Sequence, residues 1–236
     1  MKSLLFAFLF TLATGQLFAH ALWIETATSG KSGKQHEVKV YYGEYATNER
    51  EEITKWYSDV KDFTLWLSAP GKEKIKLTTT AGSNFYTASF TPQAEGQYIL
   101  TVSHEAKELG GTTKYEFLSS AIVTVGKAGS VDQAAIPVTL SVYTAETKSY
   151  KTNAPVQIKA MAGGKPLAKK AISVFSPEGW TKEVTTDENG TITFKPIWPG
   201  RYVLEVSTSE KTTGDHHGKA YTAAWQGATS SFEVSK

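Results

Sequence analysis

Histidine carries most of the chemistry open to this chain. There are five, His20, His36, His104, His216 and His217, and no cysteine. Neutral imidazole ligates zinc, copper, nickel and cobalt. Without thiolates, a metal here must be held by imidazole, carboxylate or backbone nitrogen. The run Gly214-Asp215-His216-His217-Gly218 sets two imidazoles and a carboxylate between glycines. In a strand the two rings would point to opposite faces, so the glycines favour a loop in which both turn one way. A pair is too few for a structural site, which takes four ligands. The missing donors must come from distant sequence: His20, Glu25, Glu44 or His104. His104 ends the alternation Tyr98, Leu100, Val102 and so falls on the core-facing side at a strand terminus. His36 opens a strand among polar neighbours and is expected to be structural.

Other chemistries find little support. There is no Gly-x-Ser-x-Gly elbow, P-loop or dinucleotide fingerprint, and no nucleophile–base pair can be named, so the chain is not expected to be an enzyme. With 25 basic and 23 acidic residues the formal charge is +2, which gives no reason to expect nucleic acid as a partner. Six tryptophans leave a glycan-binding platform open as a different class of function. An envelope adhesion or assembly module is another.

The elements that must position these residues are strands. Met1-Lys2, the apolar run Leu4–Phe10 and the small residues near Gly15 have the pattern of a secretory signal peptide over residues 1–21. Cleavage is expected after Ala19 or Ala21. The first choice makes His20 the mature N-terminus, where an α-amine and an imidazole come from one residue. The expected location is periplasmic or secreted, with no later segment apolar enough to span a bilayer. Beyond residue 21 the period is two, with short Val-, Ile-, Thr- and Tyr-rich runs between Gly and Pro turns. That pattern predicts an all-β chain of two tandem Ig-like or transthyretin-like sandwiches, at 22–126 and 137–236, joined by a linker at 127–136. One segment departs from it. Ile53, Trp56, Tyr57, Val60 and Phe63 are spaced as the stripe of a short amphipathic helix, with Asn48 and Glu51 as a capping box and Glu51-Glu52 on its polar face. In the second half, Asp187-Glu188-Asn189-Gly190 predicts a hairpin turn.

Two resemblances add to this. Gly164-Lys165-Pro166-Leu167-Ala168, Thr186–Gly190 and Pro199–Leu204 look like the regulatory domain appended to carboxypeptidases, a transthyretin-like sandwich, and imply fold alone. The ends of the mature chain resemble the family of periplasmic components of cobalt/nickel uptake systems, called NikM-like. The resemblance rests on His20-Ala21-Leu22-Trp23-Ile24-Glu25, on Tyr42-Gly43-Glu44, and on His216–Lys219 leading to Ala228-Thr229-Ser230-Ser231-Phe232. It implies an exported protein that binds or passes on a divalent transition metal, nickel or cobalt with copper or zinc as alternatives. It also implies a membrane metal-uptake component as partner. The residue reading and the resemblance meet in a site of His20, His216 and His217, completed by His104.

Overall fold

A computed structural model describes residues 20–127, 129–131 and 136–236. The expected signal segment up to residue 19 lies outside them, as do parts of the expected linker. The described chain is built of strands, as the period-two pattern predicts, and no described helix is long and apolar enough to cross a membrane.

One ten-stranded sheet runs through both halves. Its centre is a long hairpin, Gly200–His216 and Lys219–Ser235, which lies beside the hairpin Gly96–Glu105 and Thr113–Val125. The last strand runs parallel to Thr113–Val125, from Ala223 opposite Thr113 to Ser230 opposite Ser120. Two four-stranded sheets pack on this platform. The first contains Ala21–Thr26, His36–Gly43, Tyr86–Phe90 and Thr80–Ala81. Leu22, Ile24, Val38, Val40, Leu100 and Val123 fill the core of that half. The second holds Leu140–Thr144, Val156–Ala162, Lys165–Pro166 and Thr191–Phe194. Leu140, Ile158, Ile172, Val174, Tyr202 and Phe232 fill the other core.

The same corner device recurs in both halves. Tyr98 follows Gly96 by two residues and its hydroxyl donates to the Ala94 carbonyl at 2.9 Å. Tyr202 follows Gly200 by two residues and donates to the Trp198 carbonyl at 3.1 Å. A phenol bonding to the backbone four residues upstream is the tyrosine corner of Greek-key sandwiches. Both glycines have positive φ, 135° and 126°, conformations that side chains disfavour.

The opening strand has two different edges. One pairs with His36–Gly43. The other meets a stripe of hydroxyls on the large sheet. Thr229 Oγ1 donates to Leu22 O at 2.7 Å, Ser231 Oγ to Ile24 O at 3.0 Å, and Ile24 N donates to Ser119 Oγ at 3.2 Å. Arg201 Nη1 donates to Thr26 O at 3.0 Å. A strand edge left bare in the interior would strand its polar groups. Here serine, threonine and arginine side chains satisfy them.

Two expectations are corrected. No helix forms over 48–63. The chain instead makes two single 3₁₀ turns, Ile53–Lys55 and Val60–Asp62. The apolar spacing nevertheless picked out packed residues: Trp56, Val60 and Phe63 are buried, and Ile53 and Tyr57 pack against them. Between the turns Ser58 has φ 53°, left-handed, which breaks a right-handed helix. Ser58 and Asp59 also turn their oxygens to the backbone of Lys107 and Glu108, competing with helical bonding. Asn48 is likewise left-handed, φ 58°, and caps nothing. The second correction concerns Asp187–Gly190, which is a tight turn but not a hairpin. Thr181–Thr185 pairs with Ala171–Phe175 in the large sheet, whereas Thr191–Phe194 pairs with Val156–Ala162. The turn carries the chain from one sheet to the other, with Asp187 Oδ1 accepting from Asn189 N and Thr191 N.

Candidate metal site at the head of the opening strand

His20 stands immediately before the opening strand, so the hydroxyl stripe that docks Leu22 and Ile24 also fixes its root. Its ring stacks on Tyr42, the centroids 5.5 Å apart and 17° from parallel. The chain then folds back over it at Tyr42-Gly43-Glu44. Gly43 has φ 146°, and a Cβ there would lie 2.6 Å from Glu49 O, so only glycine lets the return segment come this close. Glu51 N donates to Tyr42 O at 3.0 Å and Glu49 N to Glu44 O at 2.9 Å.

Successive side chains of the return segment go opposite ways. Arg50 turns toward Trp23, Tyr41 and Tyr45, its guanidinium 4.6, 5.3 and 4.9 Å from their ring centroids. Glu49 and Glu51 turn the other way, to His20. His20 Nε2 lies 3.0 Å from Glu51 Oε1 and 4.0 Å from Glu49 Oε1. The Nε2 atom is shielded from solvent yet makes no hydrogen bond, so the short approach to Glu51 is not an aligned one. Among the described residues, His20, Glu49 and Glu51 are the group of three acids or imidazoles whose donor atoms all fall within 4.8 Å of one another.

More acid lies behind this triad. Burial pushes the Glu44 carboxyl above the usual carboxylate range, against the pull of a backbone hydrogen bond from Ala46 and of nearby His20. Burial, with the charge of Glu44 added, pushes Glu205 up to about 8. Charge is costly here because burial strips the carboxylates of water and they repel one another. A cation at His20 would relieve that repulsion. Burial also raises the Tyr42 phenol, helped by Glu51 and Tyr57, so it sits beside the site as a neutral group.

The other expected ligands have their own partners. Glu25 is held by Arg50 at 3.5 Å and Arg201 at 3.7 Å, and accepts from Trp23 Nε1 at 2.9 Å. His104 Nε2 sits 3.1 Å from Asp59 Oδ1. His216 is buried at the end of its strand, with Nε2 2.9 Å from Ala106 O and Nδ1 3.4 Å from Glu105 Oε1. Both of its nitrogens therefore face acceptors. His217 is exposed at the hairpin tip, where His217 and Gly218 have φ 52° and 79°, the two positive angles of a type I′ turn. Its ring meets that of His216 at 4.5 Å. The glycine-flanked segment is thus a strand end and a tight turn rather than an open loop. Of the expected ligands His20, His104, His216 and His217, only His20 falls within the described cluster of three donors, where it is joined by Glu49 and Glu51. Glu51 lies on the return segment rather than on the polar face of a helix, and helical spacing does not mark Glu49. The signal available for them was Glu-Arg-Glu after a Tyr-Gly-Glu turn, two acids on one side of an extended segment. His36 is a core residue, 2.8 Å from Thr26 Oγ1 and tilted against Phe90.

An open cleft of about 390 Å³ begins at His20 and Glu51. Its walls are aromatic: Tyr42, Tyr57, Tyr115, Phe117 and Trp225.

This is an all-β sandwich protein with an imidazole–carboxylate cluster at the head of its first strand. The chain belongs to the DUF4198 family, a domain of unknown function whose model matches residues 17–210. A comparison with the curated proteins found no match. Among solved structures the chain is similar to Salmonella alpha-2-macroglobulin reacted with methylamine. The identity is 11% and the TM-score 0.30, over 89% of this chain and 15% of that one. At that score the likeness carries no argument, and this chain spans a small part of that protein's length.

Proposed function

We propose that this is an exported protein that binds a divalent transition metal through His20, Glu49 and Glu51, as an accessory of metal uptake or handling. The observation that carries the reading is the buried, hydrogen-bond-free Nε2 of His20 between two carboxylates. A borderline metal suits one imidazole with carboxylate oxygens. Burial holds the neighbouring Glu44 and Glu205 carboxyls toward their neutral forms, so the charge offered to a cation comes from Glu49 and Glu51. Membership of DUF4198 is in keeping with the NikM-like resemblance, and nickel or cobalt is therefore the first cargo to try. Processing after Ala19 would add the α-amine of His20 as a further donor. His104, His216 and His217 act in this reading as structural residues.

Calorimetric titration of the exported protein with nickel, cobalt, copper and zinc tests the proposal, together with sequencing of its N-terminus. Micromolar or tighter binding is expected, weakening as pH falls because protons compete for the same donors. H20A and E51Q should each lower affinity at least ten-fold, with H216A and H217A close to wild type. Millimolar binding, or an unchanged H20A, would sink it.

A second reading rests on a different place. Trp180, 41% exposed, meets Trp198 edge-on at 6.1 Å, a pair able to stack on a sugar face. Oligosaccharide titration that leaves tryptophan fluorescence unmoved would dismiss it.

A further inference from the structure

We infer that the aromatic cleft beside His20 receives the planar organic part of a metal chelate, so that the cargo is a divalent metal already held by a small heteroaromatic carboxylate. The inference rests on the metal reading above and adds what fills the rest of the coordination sphere.

Three protein donors leave positions open on a metal that takes four to six ligands. His20 and Glu51 are also among the residues that line the cleft, which puts the metal donors and the aromatic walls side by side. Its volume of about 390 Å³ falls within the range of small-molecule sites, roughly 300–1,000 Å³, and is far more than a bare ion with its waters requires.

The walls are arranged for flat groups. Trp225 lies 5.5 Å from Tyr115 and 5.7 Å from Phe117, centroid to centroid. Tyr57 is fixed by donating its hydroxyl to Glu108 O at 2.7 Å. Glycines make room for two of these rings. A Cβ at Gly227 would run into the Trp225 indole, and one at Gly110 into the Tyr115 ring. Lys55 also lines the cleft, mostly exposed, with Glu52 at 3.2 Å. The lining of the cleft thus combines metal donors, aromatic rings and an ammonium. A chelator with a ring nitrogen, a planar body and a carboxylate meets all three.

The test compares two nitrogen–oxygen chelators that differ in the ring. Nickel alone, nickel with pyridine-2-carboxylate and nickel with glycinate are titrated into the exported protein at matched free-metal activity. The pyridine-2-carboxylate complex should bind at least ten-fold more tightly than the glycinate complex. Trp225→Leu or Tyr115→Leu should abolish that difference and leave the affinity for nickel alone within two-fold. Trp225→Phe should retain most of it. Thermal unfolding and the nickel-alone titration identify any variant that has lost its fold, and each leucine variant removes a different ring of the wall. Equal affinity for both complexes, or a preference that survives both leucine variants, overturns the inference. So does pyridine-2-carboxylate that strips nickel from the protein, or that binds as tightly without metal; in these cases nickel-alone binding still upholds the metal site. Failure of nickel to bind in any form overturns the metal reading itself, and this inference with it.

Discussion

Thr229 Oγ1 donates a 2.7 Å hydrogen bond to the carbonyl of Leu22, 207 residues earlier in the chain, and lies 2.9 Å from Ser119 Oγ. This contact joins the last strand to the first and seats Leu22, two residues after His20. It explains the Ala-Thr-Ser-Ser-Phe run near the C-terminus. The parallel pairing of Thr229 with Ser119 brings hydroxyls from two strands to one face of the sheet, where the opening strand needs donors and acceptors.

Thr229→Val keeps the shape and removes the hydroxyl, leaving the buried Leu22 carbonyl unpaired. An unsatisfied buried polar group costs about 1–3 kcal/mol, and denaturant unfolding should read a loss of that size. Because the same bond seats His20, nickel affinity should fall as well. Thr222→Val, at an exposed pair with Thr112, should change neither measurement appreciably.

Gly43→Ala should be damaging out of proportion to its single methyl. Its φ of 146° and the 2.6 Å approach of a Cβ to Glu49 O force the return segment to move. A strained backbone position costs of order 1–3 kcal/mol. Displacing the segment also displaces Glu49 and Glu51, so metal affinity should drop by at least as much as in E51Q. Titration of G43A beside Gly71→Ala separates the two effects. Gly71 also has positive φ, but nothing lies near its missing Cβ, so that variant should lose some stability and no metal affinity.

Glu205 makes stability depend on pH in a definite direction. Its folded carboxyl is pushed up to about 8 from an ordinary value of 4.5, so folding favours the protonated form. Its contribution is intact below about 4.5, declines as pH rises, and is lost once pH passes about 8. Glu205→Gln, neutral at every pH, should unfold near the wild-type temperature at pH 5 and above it at pH 8. Melting curves that stay parallel across that interval would contradict this assignment.

The strands and the two cores were legible in the sequence because alternation states which side of a strand is buried. Over residues 35–42 the alternation alone puts Val38, Val40 and Tyr42 on one face, and all three are buried. The turn at Asp187–Gly190 was equally legible as a turn, since aspartate and glycine satisfy it locally. Its destination was not, because two strands flanking a turn pair only if both sheets allow it. The stripe at 53–63 shows the same limit. Helical spacing reported which residues are buried, but the left-handed Ser58 and the backbone claims of Asp59 on the 107–108 loop broke the helix that spacing implied.

The sequence by itself determined the chemistry on offer: no thiolate, five imidazoles, a glycine before Glu44, and an all-β chain to carry them. Only the tertiary structure decided which imidazole keeps a nitrogen unbonded beside acids. His216 is turned to the Ala106 carbonyl and His104 to Asp59, while His20 meets Glu49 and Glu51 because Gly43 folds the chain back and Arg50 is drawn to the opposite side by three aromatic rings. A residue's type is fixed by the sequence alone. The partner of each donor is a long-range competition among strand pairing, aromatic packing and the satisfaction of buried polar groups, and no local pattern encodes its outcome.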